Sequence, residues 1–259
     1  MTSLRTGRSY GALAQFIFAL VLTAIVAWSL WWGFLREHAP MTARGIRVEA
    51  DFTGMPNGAA PDHFDGGQPA TVVASSDDPN DPGDQFKIQN GSLTYQPTTQ
   101  GNAAAFFSSP DLGSSVKSMG ARFSFRPGSG TQGAIALVVS RGVTKRVPPM
   151  IKPLPINLVV TPMNWNITLS RSDSAPLEVI AADFFQQPLH QDGTTIYEAR
   201  MVIDGAQITV DLPGTHKVLS DPRFSEWQGS FATFELYSND GATDSIGAFK
   251  KIWATGNKD

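Results

Sequence analysis

Cysteine is absent from all 259 residues. That absence removes disulfides, a thiol nucleophile, a thiolate metal site and covalent haem attachment. It also removes the acylation site of a lipoprotein. Histidine is sparse: His38, His63, His190 and His216 are scattered along the chain. Neither H-E-x-x-H nor G-x-S-x-G occurs, so a zinc protease or a serine hydrolase has no local motif. Positive charge is not in excess, with 20 Lys+Arg against 23 Asp+Glu and a net charge of −3. This balance argues against nucleic acid as a partner and against polybasic docking on lipid. Beyond Leu35, no stretch holds a helical apolar period for three turns.

What the chain does have is an uncharged run, Ala12 to Leu35, reading ALAQFIFALVLTAIVAWSLWWGFL. As a helix it covers roughly 36 Å, enough to cross a ~30 Å hydrocarbon core with some tilt. Arg5 and Arg8 precede it and no acid occurs before Glu37, which predicts a cytoplasmic N-terminus. Trp28, Trp31 and Trp32 crowd its far end, where an aromatic belt anchors a span at the headgroups. Gln15 within the run is the kind of polar group that contacts another helix. A cleaved signal peptide is the rival reading, but the run exceeds an h-region of about 7–15 residues. The nearest cleavage candidate, Met41-Thr42-Ala43, also begins with the wrong residue.

The predicted organisation is therefore a cytoplasmic segment 1–11, a transmembrane signal-anchor 12–35, a short linker 36–45 and an extracytoplasmic domain 46–259. The nine linker residues from Glu37 to Gly45 reach at most ~30 Å, so the domain is held near the membrane. An extracytoplasmic domain without disulfides, rich in Ala, Gly, Thr, Asp and Pro, points to a bacterial cell envelope.

From Ile46 onward, period-2 segments recur between turn residues, as strands do. Phe86–Gln89 and Ser92–Tyr95 flank Asn90-Gly91, the strongest short hairpin signal. In Met119–Arg126, Ala121, Phe123 and Phe125 share one face. Ala134–Ser140 is nearly continuous and apolar, as a central strand is. Further strands are predicted at 156–161, 164–170, 177–184, 196–203, 207–212, 230–237 and 246–253, with Asp204-Gly205 making a second tight hairpin. A short helix is predicted near Leu219–Trp227, capped by Asp221 with Pro222 first. About a dozen strands without long helices predict an all-β, two-sheet antiparallel sandwich.

The unit RFSFRPGSGTQGAIALVVS, the hairpin from Tyr197 to Leu212, the close at Ser230–Tyr237 and Ile246–Ala254, and the opening Ala50-Asp51-Phe52 together resemble concanavalin A-like lectin/glucanase jelly rolls, laminin-G-like domains included. The resemblance covers roughly residues 46 to 256 and implies a jelly roll with a glycan-binding surface. The enzymatic branch of that superfamily carries an E-x-D-x-x-E strand, which is absent here. The nearest approach is Glu178-Val-Ile-Ala-Ala-Asp183, whose odd separation places the acids on opposite faces of a regular strand.

The candidate ligand residues are Trp165, Glu235, Tyr237, Gln207 and Asp211, an aromatic floor with polar partners. Trp227, Tyr95 and Tyr197 are further aromatic candidates. Asp77, Asp78, Asp81 and Asp84 in SSDDPNDPGD are candidate calcium ligands, since clustered hard oxygens suit Ca²⁺. Asn239, Asp240 and Asp244 form a second such group. Gly128–Gly133 matches G-x-G-x-x-G, but an apolar strand follows rather than the helix a dinucleotide site needs. Arg141, Lys145, Arg146 and Lys152 form a cationic loop suited to an anionic surface.

The leading expectation is a membrane-anchored, non-catalytic module that binds an envelope glycan and has no cofactor beyond structural calcium. The expected partners are the lipid bilayer through residues 12–35, an envelope polysaccharide and a membrane protein. Two alternatives stay open: an accessory subunit of a membrane complex, and a glycoside hydrolase using Glu178, Asp183, Glu198 or Glu235.

Overall fold

The computed structural model describes residues 46–76, 86–95, 103–128, 130, 133–143, 155–170, 176–226, 229–238 and 246–257. The run 12–35, with Trp28, Trp31 and Trp32, lies outside these residues. So do Asp77, Asp78, Asp81, Asp84, Asn239, Asp240, Asp244 and Trp227. Among the described residues no helix is long and apolar enough to cross a membrane.

Alternation along the chain produces sixteen described strands. The first eight are β1 (Arg47–Asp51), β2 (Gly58–Ala59), β3 (Thr71–Ser76), β4 (Phe86–Ile88), β5 (Leu93–Tyr95), β6 (Ala103–Ser108), β7 (Val116–Phe125) and β8 (Ala134–Ser140). Then come β9 (Ile156–Val160), β10 (Asn164–Leu169), β11 (Glu178–Phe184), β12 (Tyr197–Asp204), β13 (Gln207–Leu212) and β14 (Thr215–Ser220). The helix α1 (Pro222–Glu226) follows, and β15 (Phe231–Ser238) and β16 (Gly247–Gly256) close the domain.

The strands form two antiparallel sheets. One has seven strands in the order β11-β10-β9-β8-β15-β6-β3. The other has nine, in the order β14-β13-β12-β7-β16-β5-β4-β2, with β1 also on β16. The strand β16 is the hub of the larger sheet: β7 lies along one edge, while β5 and β1 share the other.

The core lies between the sheets. From the larger sheet it takes Val48, Ala50, Ala121, Phe123, Met201, Val210, Phe249 and Ile252, all fully buried. The smaller sheet contributes Phe107, Ile135, Leu137, Leu158, Ile167, Phe234 and Leu236. Phe52 meets Phe107 edge-on at 5.9 Å and Phe249 meets Phe234 at 6.2 Å. Each such pair adds about 0.5–1.5 kcal/mol beyond its burial, so these contacts fasten one sheet to the other.

Turn chemistry follows the residues. Asn90 and Gly91 both have positive φ, 51° and 63°, as the tight β4–β5 hairpin requires. A Cβ on Gly91 would stand 2.6 Å from the Thr53 carbonyl oxygen, so the position admits only glycine. The β12–β13 hairpin is also present, with Gly205 at φ 55°. The helix is one turn long, capped as expected: the Arg223 N–H donates to Asp221 Oδ1 at 2.9 Å. Residues 215–220 form β14, joined to β13 through Pro213-Gly214, so Leu219 and Ser220, expected within the helix, belong to a strand instead. The strands β3 and β6 also escape the period-2 pattern. All six residues of β6, Ala103–Ser108, are buried, so no polar alternation marks it.

Of the three register shifts among the described strands, one lies at the very end of β16, between Thr255 and Gly256, and the other two redirect side chains. Between Phe249 and Lys251 the register with β7 shifts, leaving Lys250 as the extra residue. Phe249, Ile252 and Ala254 therefore face the core, while Lys251 and Trp253 face outward. A second shift, in the β10–β11 pairing, makes Ile180 the extra residue. Glu178 then lies opposite Leu169 and Asp183 opposite Trp165, so both acids share the inward side of β11. This corrects the expectation that they occupy opposite faces.

Polar contacts stitch the margins. Glu49 of β1 is held by Arg47 and by Lys251 of β16. Burial alone raises its carboxyl pKa, but the hydrogen bonds from Lys251 and Arg47 outweigh that and hold it below the ordinary 4.5. Where the two sheets' edges meet, Lys217 reaches Asp183 at 3.7 Å and Arg223 reaches Glu178 at 2.6 Å.

Two measurements check this packing. A Cβ on Gly247 would fall 2.1 Å from Ile135 Cγ2 of the opposite sheet. Gly247→Ala is expected to destabilise the domain by about 1–3 kcal/mol through overpacking, read as a lowered urea midpoint. Glu49 has its pKa lowered on folding, so its contribution is present above about pH 4.5 and fades as pH falls through the folded value. Glu49→Gln should therefore lower stability by less than about 1 kcal/mol at pH 7, and the two stabilities should converge as the pH falls and the carboxyl becomes protonated in the folded protein.

Candidate functional site

Each sheet turns one face to the core and one away from it, so the strands offer a ligand their two outward faces, and the loops between them add to these. On the seven-stranded sheet, alternation sends Ser108 and Phe106 of β6, Thr233, Glu235 and Tyr237 of β15, and Ala136 and Val138 of β8 outward. Asn157 and Val159 of β9 and Asn164, Asn166 and Thr168 of β10 join them. Register aligns them in rows. One row runs Thr168–Asn157–Val138–Thr233–Ser108, and the next runs Asn166–Val159–Ala136–Glu235–Phe106.

The first row is a hydrogen-bonded polar lane. Asn157 Nδ2 donates to Thr168 Oγ1 at 3.0 Å, and the Ser108 and Thr233 hydroxyls bond at 2.8 Å. Asn157 Oδ1 is buried with no partner. The centre of this face is closed: Phe106 and Val138 are 0% exposed and Glu235 only 3%. Toward β11 the face opens, with Asn164 and Asn166 partly exposed and Phe184 71% exposed. Glu235 and Tyr237 share the face, as their spacing predicts, and both have interactions with neighbours.

On the nine-stranded sheet one row crosses six strands: Glu49–Trp253–Gly120–Arg200–Asp211–His216. Asp211 accepts from His216 Nδ1 at 2.5 Å. Beside the row, a cleft of about 370 Å³ is lined by Ile196, Tyr197, Glu198, Arg200, Asp211 and Pro213. A second cleft of about 290 Å³ shares Tyr197 and Pro213 and continues to Gln186, Gln187 and His190. Tyr197 is fixed between them, its hydroxyl accepting from the His190 N–H at 2.6 Å. Nearby Asp192 accepts from the Thr195 side chain and from two backbone N–H groups, which together hold its carboxyl far below the ordinary range.

The sequence-selected residues separate accordingly. Trp165 points into the core at 2% exposure with its indole N–H unpartnered. Its strand places it with Ile167 and Leu169, so it offers no stacking surface. Glu235 and Tyr237 lie on the seven-stranded face, Gln207 and Asp211 on the other. The four acids of the hydrolase alternative do not gather either. Glu178 and Asp183 bind cations at the sheet edges, Glu198 stands on the nine-stranded face, and Glu235 is the only acid at an outward position of the described smaller-sheet strands. Among the described residues no group of three or more His, Cys, Asp or Glu is placed to hold a metal ion. Trp253 was missed because simple alternation from Phe249 sends it inward, and only the bulge turns it out.

No family model matches the sequence, and no curated protein sequence matches it. Solved structures match in fold. The carbohydrate recognition domain of Emp47p superposes with a TM-score of 0.56 at 13% identity, covering 82% of this chain and 95% of that one. Lectin II from Ulex europaeus gives 0.51 at 8% identity, covering 82% and 98%. An endo-β-galactosidase from Clostridium perfringens gives 0.51 at 12% identity, covering 83% of this chain and 63% of that enzyme. The described domain is thus a two-sheet sandwich of the class that includes lectins and carbohydrate recognition domains. Its fold is the concanavalin A-like jelly roll that the sequence resembles.

The core position of Trp165 generates a test. Trp165→Phe should cost about 1–2 kcal/mol of stability through lost volume, with no hydrogen bond forfeited. Any saccharide binding by the chain should remain within twofold of the parent by calorimetry.

Proposed function

We propose that this chain is a non-catalytic glycan-binding module of a cell envelope, held beside the membrane by its N-terminal run. The carrying observation is the fold: the domain spans nearly the whole of two structures named as a carbohydrate recognition domain and a lectin. The absence of an E-x-D-x-x-E strand and the scattering of the four candidate acids support binding rather than bond cleavage. The uncharged run 12–35, the preceding Arg5 and Arg8 and the nine-residue linker support an anchored, extracytoplasmic placement. In that arrangement the ligand lies within a few nanometres of the outer membrane face.

A second reading rests on a different observation. The edge strand β11 and its approach expose Leu177, Val179 and Phe184 at 51%, 63% and 71%, and β11 itself contains no proline or lysine. Edges of that character take up protein partners, which favours an accessory subunit of a membrane complex.

Full-length protein in detergent micelles, applied to an array of envelope polysaccharides, should retain at least one of them above a heat-denatured control. Failure on every envelope polysaccharide defeats the glycan reading. Copurification of one membrane protein, lost on Phe184→Ser with the fold retained, would favour the second.

A further inference from the structure

We propose that the outward face of the nine-stranded sheet carries a site for a carboxylate-bearing saccharide, with Trp253 as the stacking floor and Arg200 and Arg122 as the carboxylate clamp. The proposal rests on the glycan-binding reading and names its ligand class and its residues.

The floor is defined by a glycine. Trp253 lies directly across from Gly120 of β7. A Cβ on Gly120 would fall 2.4 Å from Trp253 Cζ2 and 2.7 Å from Cε2. The indole therefore occupies the space a neighbouring side chain would fill and lies against the sheet. Trp253 is partly exposed, so part of the ring is presented away from the protein. That is the surface on which the C–H groups of a pyranose ring stack. Filling the gap over a glycine explains the ring alone; it does not explain the charges around it.

Arg200 follows Gly120 in the same row, and Arg122 lies diagonally across the β7–β12 pair. Diagonal neighbours of this kind stand roughly 7–8 Å apart, close enough for two long guanidinium side chains to meet on one anion. Both arginines are exposed, and neither makes an ion pair among the described residues. The acids around them have other partners. Glu49 is held by Arg47 and Lys251 and Asp211 by His216. Asp51 is held by the Thr53 hydroxyl and by Lys251 at 3.9 Å, and Arg122 acts on it only through longer-range attraction that helps lower its carboxyl pKa. Glu198, across from Arg122, forms no ion pair with either arginine. Two adjacent guanidiniums repel each other until an anion lies between them, and guanidinium binds carboxylate in a planar, two-bonded geometry. An aromatic floor with a paired cationic wall fits a sugar ring that carries its own carboxylate, a uronate.

Calorimetry on the full chain in detergent micelles at low salt tests this, with tetragalacturonic acid as the probe and its fully methyl-esterified form as the uncharged control. The acid is expected to bind at least about tenfold more tightly than the ester. Arg200→Gln and Arg122→Gln should each weaken the acid about tenfold, as loss of a charge-assisted hydrogen bond does, and leave the ester unchanged. Trp253→Phe should keep most of the affinity. Trp253→Ala should abolish it, with Tm reporting that the sheet is intact. Equal binding of acid and ester overturns the proposal, as does indifference to Arg200→Gln. Arginine-dependent binding of phosphatidylglycerol vesicles without binding of the acid also overturns it, in favour of a lipid headgroup. If the polysaccharide array is positive and Trp253→Ala leaves it so, this site falls while the glycan reading stands. If neither the array nor the probe binds, both fall.

Discussion

The last strand holds the domain together. β16 pairs along its whole length with β7 and shares its other edge between β5 and β1, so the opening, middle and close of the sequence meet on it. Its inward residues also set the spacing between sheets. Phe249 packs edge-on against Phe234, and Gly247 leaves room only for the Ile135 side chain. Nothing earlier in the chain can complete the larger sheet until β16 is in place. Such non-local pairing requires loop closure before contacts repay it.

The same strand controls what the protein shows to its surroundings. The extra residue Lys250 is tied down on both sides: its carbonyl accepts from Phe52 N–H at 2.9 Å, and its Nζ donates to the Asn90 carbonyl at 3.1 Å. This bulge turns Trp253 from an inward to an outward position, above the only kind of residue that leaves it room. The bulge at Ile180 has the opposite consequence. It turns two acids to one side, where Lys217 and Arg223 neutralise them at the meeting of the sheet edges. One irregularity thus exposes an aromatic ring, and the other draws carboxylates into structural ion pairs.

The outward faces differ in kind. The seven-stranded face has a polar lane and a single acid, but its centre is sealed, with Thr233 and Val138 0% exposed. The nine-stranded face is open, charged and bordered by two clefts meeting at Tyr197. A shared fold does not fix a ligand; the chemistry depends on which face carries accessible rings and donors. Here that weighs toward the face built around β16. In the proposed anchored arrangement the first strand after the linker, β1, belongs to this same sheet, and its Glu49 begins the row that contains Trp253.

Much of this was legible in the residues. Alternation identified the inward side of β7 through Ala121, Phe123 and Phe125, because a strand's faces repeat every two residues. Asn90-Gly91 specified a tight turn because both positions need positive φ, and Asp221-Pro222 specified a helix start. The absence of cysteine left the core to carry the stability, and the core is accordingly aromatic and continuous. The tertiary structure decided which face Trp253, Glu178 and Asp183 occupy, that Trp165 is core, and that Gln207 and Asp211 stand apart from Glu235 and Tyr237. The physical reason is that period-2 logic holds only within an unbroken ladder. One extra residue reverses every side chain after it, and whether that residue is accommodated depends on the partner strand and its hydrogen bonds, which lie far away in the sequence.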